Sequence, residues 1–169
     1  MRVGFYLLPA ALVAGQSVMA QSFIGVEESQ HRLFPGVTLT KSFISLSDDQ
    51  YKQIEQKSQA KMYSHDVMAW RAPGGGWYLL DRVLARDDYI TYAVALDATG
   101  TVTGIEVLEC VAHYDISNRA WLAQFRGRSS AAPNSGQDIK ILSGVSLSSE
   151  AVKRGVTKLL ATYDVVLSH

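Results

Sequence analysis

The sequence predicts an α+β domain: a mostly antiparallel sheet packed with several helices. Three observations predict it. Strand-like runs alternate with turn signals from Met62 to Glu109, as in a meander. Ser47-Asp-Asp-Gln50 reads as a capping box opening a helix. Val152, Val156, Leu159, Leu160 and Tyr163 fall at i, i+4, i+7, i+8 and i+11, one apolar helical face.

The elements follow in order. Met1–Ala20 has Arg2, an apolar run from Phe5 to Ala14 interrupted by Pro9, and Val18-Met19-Ala20, small residues of the kind a signal peptidase reads. The expectation is a signal peptide over 1–20, cleaved before Gln21, and a single domain over 21–169. Val26 to Phe34 predicts a short helix ended by Pro35-Gly36. Val37 to Leu46 predicts a strand or extended segment. The capped helix runs to about Ala60, with Tyr51 and Ile54 on its apolar stripe, and reads as a covering helix.

Met62 to Arg71 reads as the next strand. Pro73-Gly-Gly-Gly76 is a turn, since consecutive glycines are costly inside strands. Trp77 to Leu84 is a strand, Asp87-Asp88 breaks it, and Tyr89 to Leu96 follows with aromatic and β-branched residues. Asp97-Ala-Thr-Gly100 turns the chain into a strand over Thr101 to Glu109. Cys110 to Ile116 reads as irregular. Ser117-Asn118 caps a short helix where Trp121 and Phe125, four apart, share a face. That pair reads first as core packing and second as a cofactor-facing role for Trp121. Ser129 to Gln137 is a polar loop. The last helix is predicted from about Ser149, with Lys153, Arg154, Thr157 and Lys158 on its outer side, Gly155 allowing close approach to a strand, and Asp164 to His169 as a tail.

Composition narrows the function. The 169 residues carry 16 basic and 16 acidic side chains. Cleavage after Ala20 would remove Arg2 alone, leaving 15 basic against 16 acidic. No basic excess exists to grip a phosphate backbone, so nucleic acid is not expected. Cys110 is the single cysteine, which excludes an intramolecular disulfide and the paired-cysteine redox motifs. The four histidines show no metal-ligand spacing, and no G-x-S-x-G elbow surrounds Ser146 to support a hydrolase built on Ser146, His113 and Asp115 or Asp138. No catalytic or metal residue is assigned.

The informative stretch is Ser143-Gly-Val-Ser-Leu-Ser-Ser149. Hydroxyls at 143, 146, 148 and 149 precede the last helix, whose N-terminus offers unsatisfied N–H groups and the positive end of its dipole. That combination suits a phosphate, although an ordinary loop and cap would read the same way.

Ser143–Ser149, with Ala151-Val152 and Gly155-Val156 beyond it, resembles the signature of the FMN-binding domain family, Ser/Thr-Gly-Ala-Thr-x-Thr/Ser-Ser. Trp77–Val83, Tyr89–Asp97 and Gly104–Glu109 resemble that family's central strands, Ala120–Gly127 its Trp…Gln-Phe-x-Gly helix, and Leu159–Tyr163 its closing helix. The resemblance implies an FMN-binding-domain-like fold and FMN at Ser143, Gly144, Val145, Ser146, Leu147, Ser148 and Ser149, with His113, Tyr114 and Trp121 beside it. In the family the motif threonine carries FMN through a phosphoester made after export by a flavin transferase. Ser146 holds that position, so FMN is expected either tethered there or held without the ester. Val145 stands where the family has alanine. Ala112-His-Tyr-Asp115 stands where relatives have Glu-Thr-Pro/Tyr-Gly. The implied role is an exported flavoprotein domain passing electrons between redox partners, periplasmic or otherwise exported, with a redox or membrane-associated protein partner. The other reading is a cofactor-free domain of the same fold serving as a structural or protein-interaction subunit.

Overall fold

The computed structural model describes residues 24–110, 114–131 and 138–168, with Tyr114 and Asp115 described by their backbone alone. The expected signal peptide, His113 and most of the polar loop lie outside the described residues.

Five strands form one sheet in the order β1-β2-β3-β4-β5, every neighbouring pair antiparallel. They are β1 (Thr40–Ser45), β2 (Asp66–Arg71), β3 (Trp77–Ala85), β4 (Asp88–Leu96) and β5 (Val102–Cys110). The expected α+β architecture is therefore present. Strand β4 lies between β3 and β5 and is buried on both faces from Tyr92 to Leu96, which is why it reads as nearly continuous apolar sequence.

Helices cover both faces. Helix α1 (Val26–Leu33) lies on one face, where Val26, Leu33 and Phe34 pack on Tyr78, Ala93 and Leu108. Its buried Ser29 hydroxyl meets the Tyr78 hydroxyl at 2.8 Å. Helix α2 (Asp48–Ser58), the short α3 (Arg119–Leu122) and the long α4 (Ser146–Thr162) build the other side. The capping box forms as the sequence predicts. The Gln50 N–H donates to Ser47 Oγ at 3.3 Å, and the Ser47 N–H to Gln50 Oε1 at 2.9 Å.

Of the boundaries that differ from the sequence reading, three have a clear local reason. Strand β2 starts at Asp66 instead of Met62. The peptide of Met62 is tied to α2: its N–H donates to the Glu55 carboxylate at 2.8 Å, and its carbonyl accepts from the Tyr51 hydroxyl at 2.8 Å. Helix α4 starts at Ser146, three residues early, because the Ser149 hydroxyl donates to the carbonyls of Val145 and Ser146 inside the first turn instead of capping from outside. At the other end the chain continues past Thr162 in one π-helical turn, Tyr163–Leu167. Leu167 is buried and Val165 and Val166 pack toward α2, so this segment is core and not tail.

The Asp97–Gly100 turn is set by one carboxylate. Asp97 Oδ1 accepts from the Thr99 N–H at 2.8 Å, the Thr99 hydroxyl at 2.7 Å and the Thr101 N–H at 3.0 Å. Partial burial pushes this carboxyl upward. The bonds from the Thr99 hydroxyl and the Thr101 and Thr99 N–H groups outweigh that and hold it below the usual range.

Candidate functional site

The hydroxyl-rich stretch divides into an outward and an inward half. Leu142–Val145 is a turn closed by the Val145 N–H donating to the Leu142 carbonyl at 3.3 Å, with Gly144 at φ +83°. Ser143, Gly144 and Ser146 are exposed, and Leu147 is 60 % exposed. Val145 is buried and pins the helix start. Ser148 and Ser149 are buried, 3 % and 0 % exposed, because at this helix start they fall on the core-facing side.

The helix start itself is undressed. Val145 sits at the N-cap with no side-chain cap, and no acidic residue occupies the first turn. The Ser149 N–H is the first to find its carbonyl four residues back, at 3.0 Å. The N–H groups of Ser146, Leu147 and Ser148 therefore lack intrahelical acceptors, next to two exposed hydroxyls. A Cβ on Gly144 would meet nothing within 4 Å, so the approach is open. This donor set fits a phosphate group.

Trp121 lies in the core, 2 % exposed, edge-on to Phe125 with ring centroids 5.2 Å apart. Its indole N–H donates to the Lys140 carbonyl at 2.7 Å, and Gln124 Oε1 accepts from the Lys140 N–H at 3.0 Å. The two side chains clamp both main-chain groups of one residue, three before Ser143. Helix α3 thus holds the approach to the turn. Tyr114 lies in a 3₁₀ turn, Tyr114–Ser117, that follows β5.

The sequence reading missed a second polar cluster. Lys158, expected on the outer side of α4, is buried with a side chain 5 % exposed, and its ammonium lies 2.8 Å from Asp81 Oδ2. The Tyr92 hydroxyl donates to the same carboxylate oxygen at 2.7 Å. Gly155 makes this packing possible: a Cβ there would come within 2.3 Å of the Tyr92 hydroxyl and 2.7 Å of Val83 Cγ1. Two signals were available. Asp81 shares strand parity with the inward Leu79 and Val83, and Lys158 lies one helical turn beyond Gly155.

Burial, then the charge of Asp81 and their hydrogen bond, push the Tyr92 hydroxyl well above its ordinary 10.0. The unfolded chain therefore ionises Tyr92 first as pH rises, and the native state loses stability from about pH 10 upward. Urea unfolding at about pH 9 and about pH 11 should show a steeper fall for the wild type than for Tyr92→Phe. Equal falls would mean that Tyr92 does not carry this dependence.

No curated protein matches the chain. Residues 87–161 match the family model described as FMN-binding domain, a span that takes in β4, β5, α3, Ser143–Ser149 and most of α4 and leaves Asp81 outside. An FMN-binding domain is present over residues 87–161.

Proposed function

We propose that the protein is an exported flavoprotein domain that passes electrons between protein partners through FMN, with the FMN phosphate esterified to Ser146. One observation carries this reading: Ser146 is an exposed hydroxyl at the first position of an uncapped helix, inside the span that matches the FMN-binding domain. Bound FMN would supply one- and two-electron chemistry from its ring. The chain's own part is to hold and orient it. The N–H groups of Ser146–Ser148 and the Ser143 hydroxyl receive the phosphate oxygens. Attachment would form a bond from Ser146 Oγ to the flavin donor's phosphorus as that phosphorus's bond to its departing oxygen breaks, and the serine proton would leave with the displaced group. Trp121 and Gln124 keep the preceding chain in register through Lys140. Export rests on the Met1–Ala20 pattern and fits an attached cofactor, because a tether prevents its loss outside the cytoplasm.

Coexpression with a flavin transferase tests this by intact mass. The expected product is heavier by one FMN less one water, and Ser146→Ala removes the increment while leaving the fold intact. An unmodified wild type that nevertheless retains flavin through native purification would reject the ester alone. A specific observation favours the second reading, a cofactor-free partner-binding domain: the buried Ser148 and Ser149 take two of the four hydroxyls away from the turn's outer surface. A wild type that retains no flavin either way would support it.

A further inference from the structure

The sheet contains an open edge within its own span. The β2–β3 ladder ends at the Met68–Leu80 pair, so Asp81–Ala85 of β3 has a strand neighbour on the β4 side alone. The coil from Gln59 to His65 faces this edge, but among the described residues no backbone hydrogen bond joins the two. The main-chain groups of this edge alternate: Asp81, Val83 and Ala85 turn theirs to β4, and Arg82 and Leu84 turn theirs to the open side.

Two cavities lie along this edge. One, of about 420 Å³, reaches Asp81 and is walled by Leu80, Met68 and Tyr89. The other, of about 230 Å³, reaches Val83 and Leu84 beside Gly155 of α4. Tyr63 and Lys158 line both, so the cavities adjoin and form one groove between β3, α4 and the coil.

The groove's charge is one-sided. Lys61, Arg82 and Arg154 are exposed on its lining, and among the described residues none of them pairs with a carboxylate. Asp81 and Lys158 neutralise each other, which leaves exposed Asp66 against three cations. The whole chain has no net charge, so the basic rim is a local feature.

We infer that this groove receives an extended segment of a partner protein, carrying both acidic and apolar residues, that adds a strand to the Asp81–Ala85 edge of β3. The open main chain supplies the pairing, and an extended strand satisfies it where a compact ligand cannot. Period-two alternation sends side chains to both faces of the sheet, and each face offers a cation beside apolar wall: Arg82 with Leu80 and Tyr89 on one, Arg154 with Val83 on the other. The groove is independent of the flavin reading: Lys158 is twelve residues from Ser146, about 18 Å along the helix.

A displayed library of random short linear peptides, selected on the full chain, tests the inference. The expected winners carry both acidic and apolar residues, and their binding protects the amides of Arg82 and Leu84 from hydrogen exchange. N-methylation at alternate peptide positions should abolish binding. Charge reversal at the exposed positions (Lys61→Glu, Arg82→Glu and Arg154→Glu together) should weaken it by about tenfold. Winners without acidic residues, insensitivity to these changes, protection at another edge, or no winners at all would overturn the proposal. Edge amides already protected in the free chain would overturn it too, by showing that a segment of the same chain fills the groove. Protection that grows with protein concentration would do the same, by showing that a second copy fills it.

Discussion

Asp81→Ala is expected to destabilise the protein by about 4 kcal/mol, the largest effect of any single substitution considered for this fold. The substitution strands Lys158, whose side chain is 5 % exposed and lies 2.8 Å from the carboxylate. It also takes away the acceptor of the Tyr92 hydroxyl, which is fully buried. Two penalties therefore coincide, a buried cation without its counter-charge and a buried hydroxyl without its acceptor. Urea unfolding at neutral pH measures the loss as a shift of midpoint at constant slope. The combined variant Asp81→Leu, Lys158→Met and Tyr92→Phe removes every member together and should recover stability to within about 1.5 kcal/mol of wild type. That recovery separates the cost of breaking the cluster from the net contribution of having it. A loss below about 1 kcal/mol for Asp81→Ala would show that water reaches Lys158 and that the pair does not act as a buried one.

This cluster also marks where sequence reasoning stops. The helix α4 could be read because its apolar residues recur with the helical period, and Val152, Val156, Leu159, Leu160 and Tyr163 are all buried as that period requires. The capping box could be read because its two bonds join residues only three apart. The β3–β4–β5 meander could be read from its turn residues. Lys158 was missed, because a lysine in a helix pattern defaults to solvent and its partner lies 77 positions away on a strand, so strand parity and the nearby Gly155 were only indirect signals. The candidate site was legible in the same partial way. Ser143–Ser149 pointed to an anion site, but which hydroxyls face outward depends on where the helix starts. Setting that start at Ser146 turns Ser148 and Ser149 inward and leaves Ser143 and Ser146 exposed. Trp121 shows the converse. Core packing was its first reading, and its burial agrees, yet its indole N–H also steadies the peptide that leads to the turn.

Gly100→Ala should cost about 3 kcal/mol, the second-largest effect, through two causes that a paired control separates. Gly100 has φ +76°, where a Cβ alone costs about 1 kcal/mol. That Cβ would also stand 2.1 Å from Cε1 and 2.3 Å from Cδ1 of Tyr163. The ring cannot retreat freely, because Tyr163 is buried and its hydroxyl donates to the Ala98 carbonyl at 2.9 Å within the same turn. The turn cannot yield either while Asp97 holds Thr99 and Thr101. Overpacking of this kind adds about 2 kcal/mol. Gly144→Ala is the control: φ is +83°, but nothing lies within 4 Å of the added Cβ, so only the backbone term of about 1 kcal/mol remains. Equal losses for the two variants would remove the steric half of the argument and leave backbone strain alone. The difference has a functional use. Tyr163 closes the far end of α4 against the β4–β5 turn, whereas Gly144 lies in the Leu142–Val145 turn before its N-terminus. Gly144→Ala should therefore leave the protein folded while altering the turn that presents Ser143 and Ser146, and Gly100→Ala should disturb stability without touching that turn.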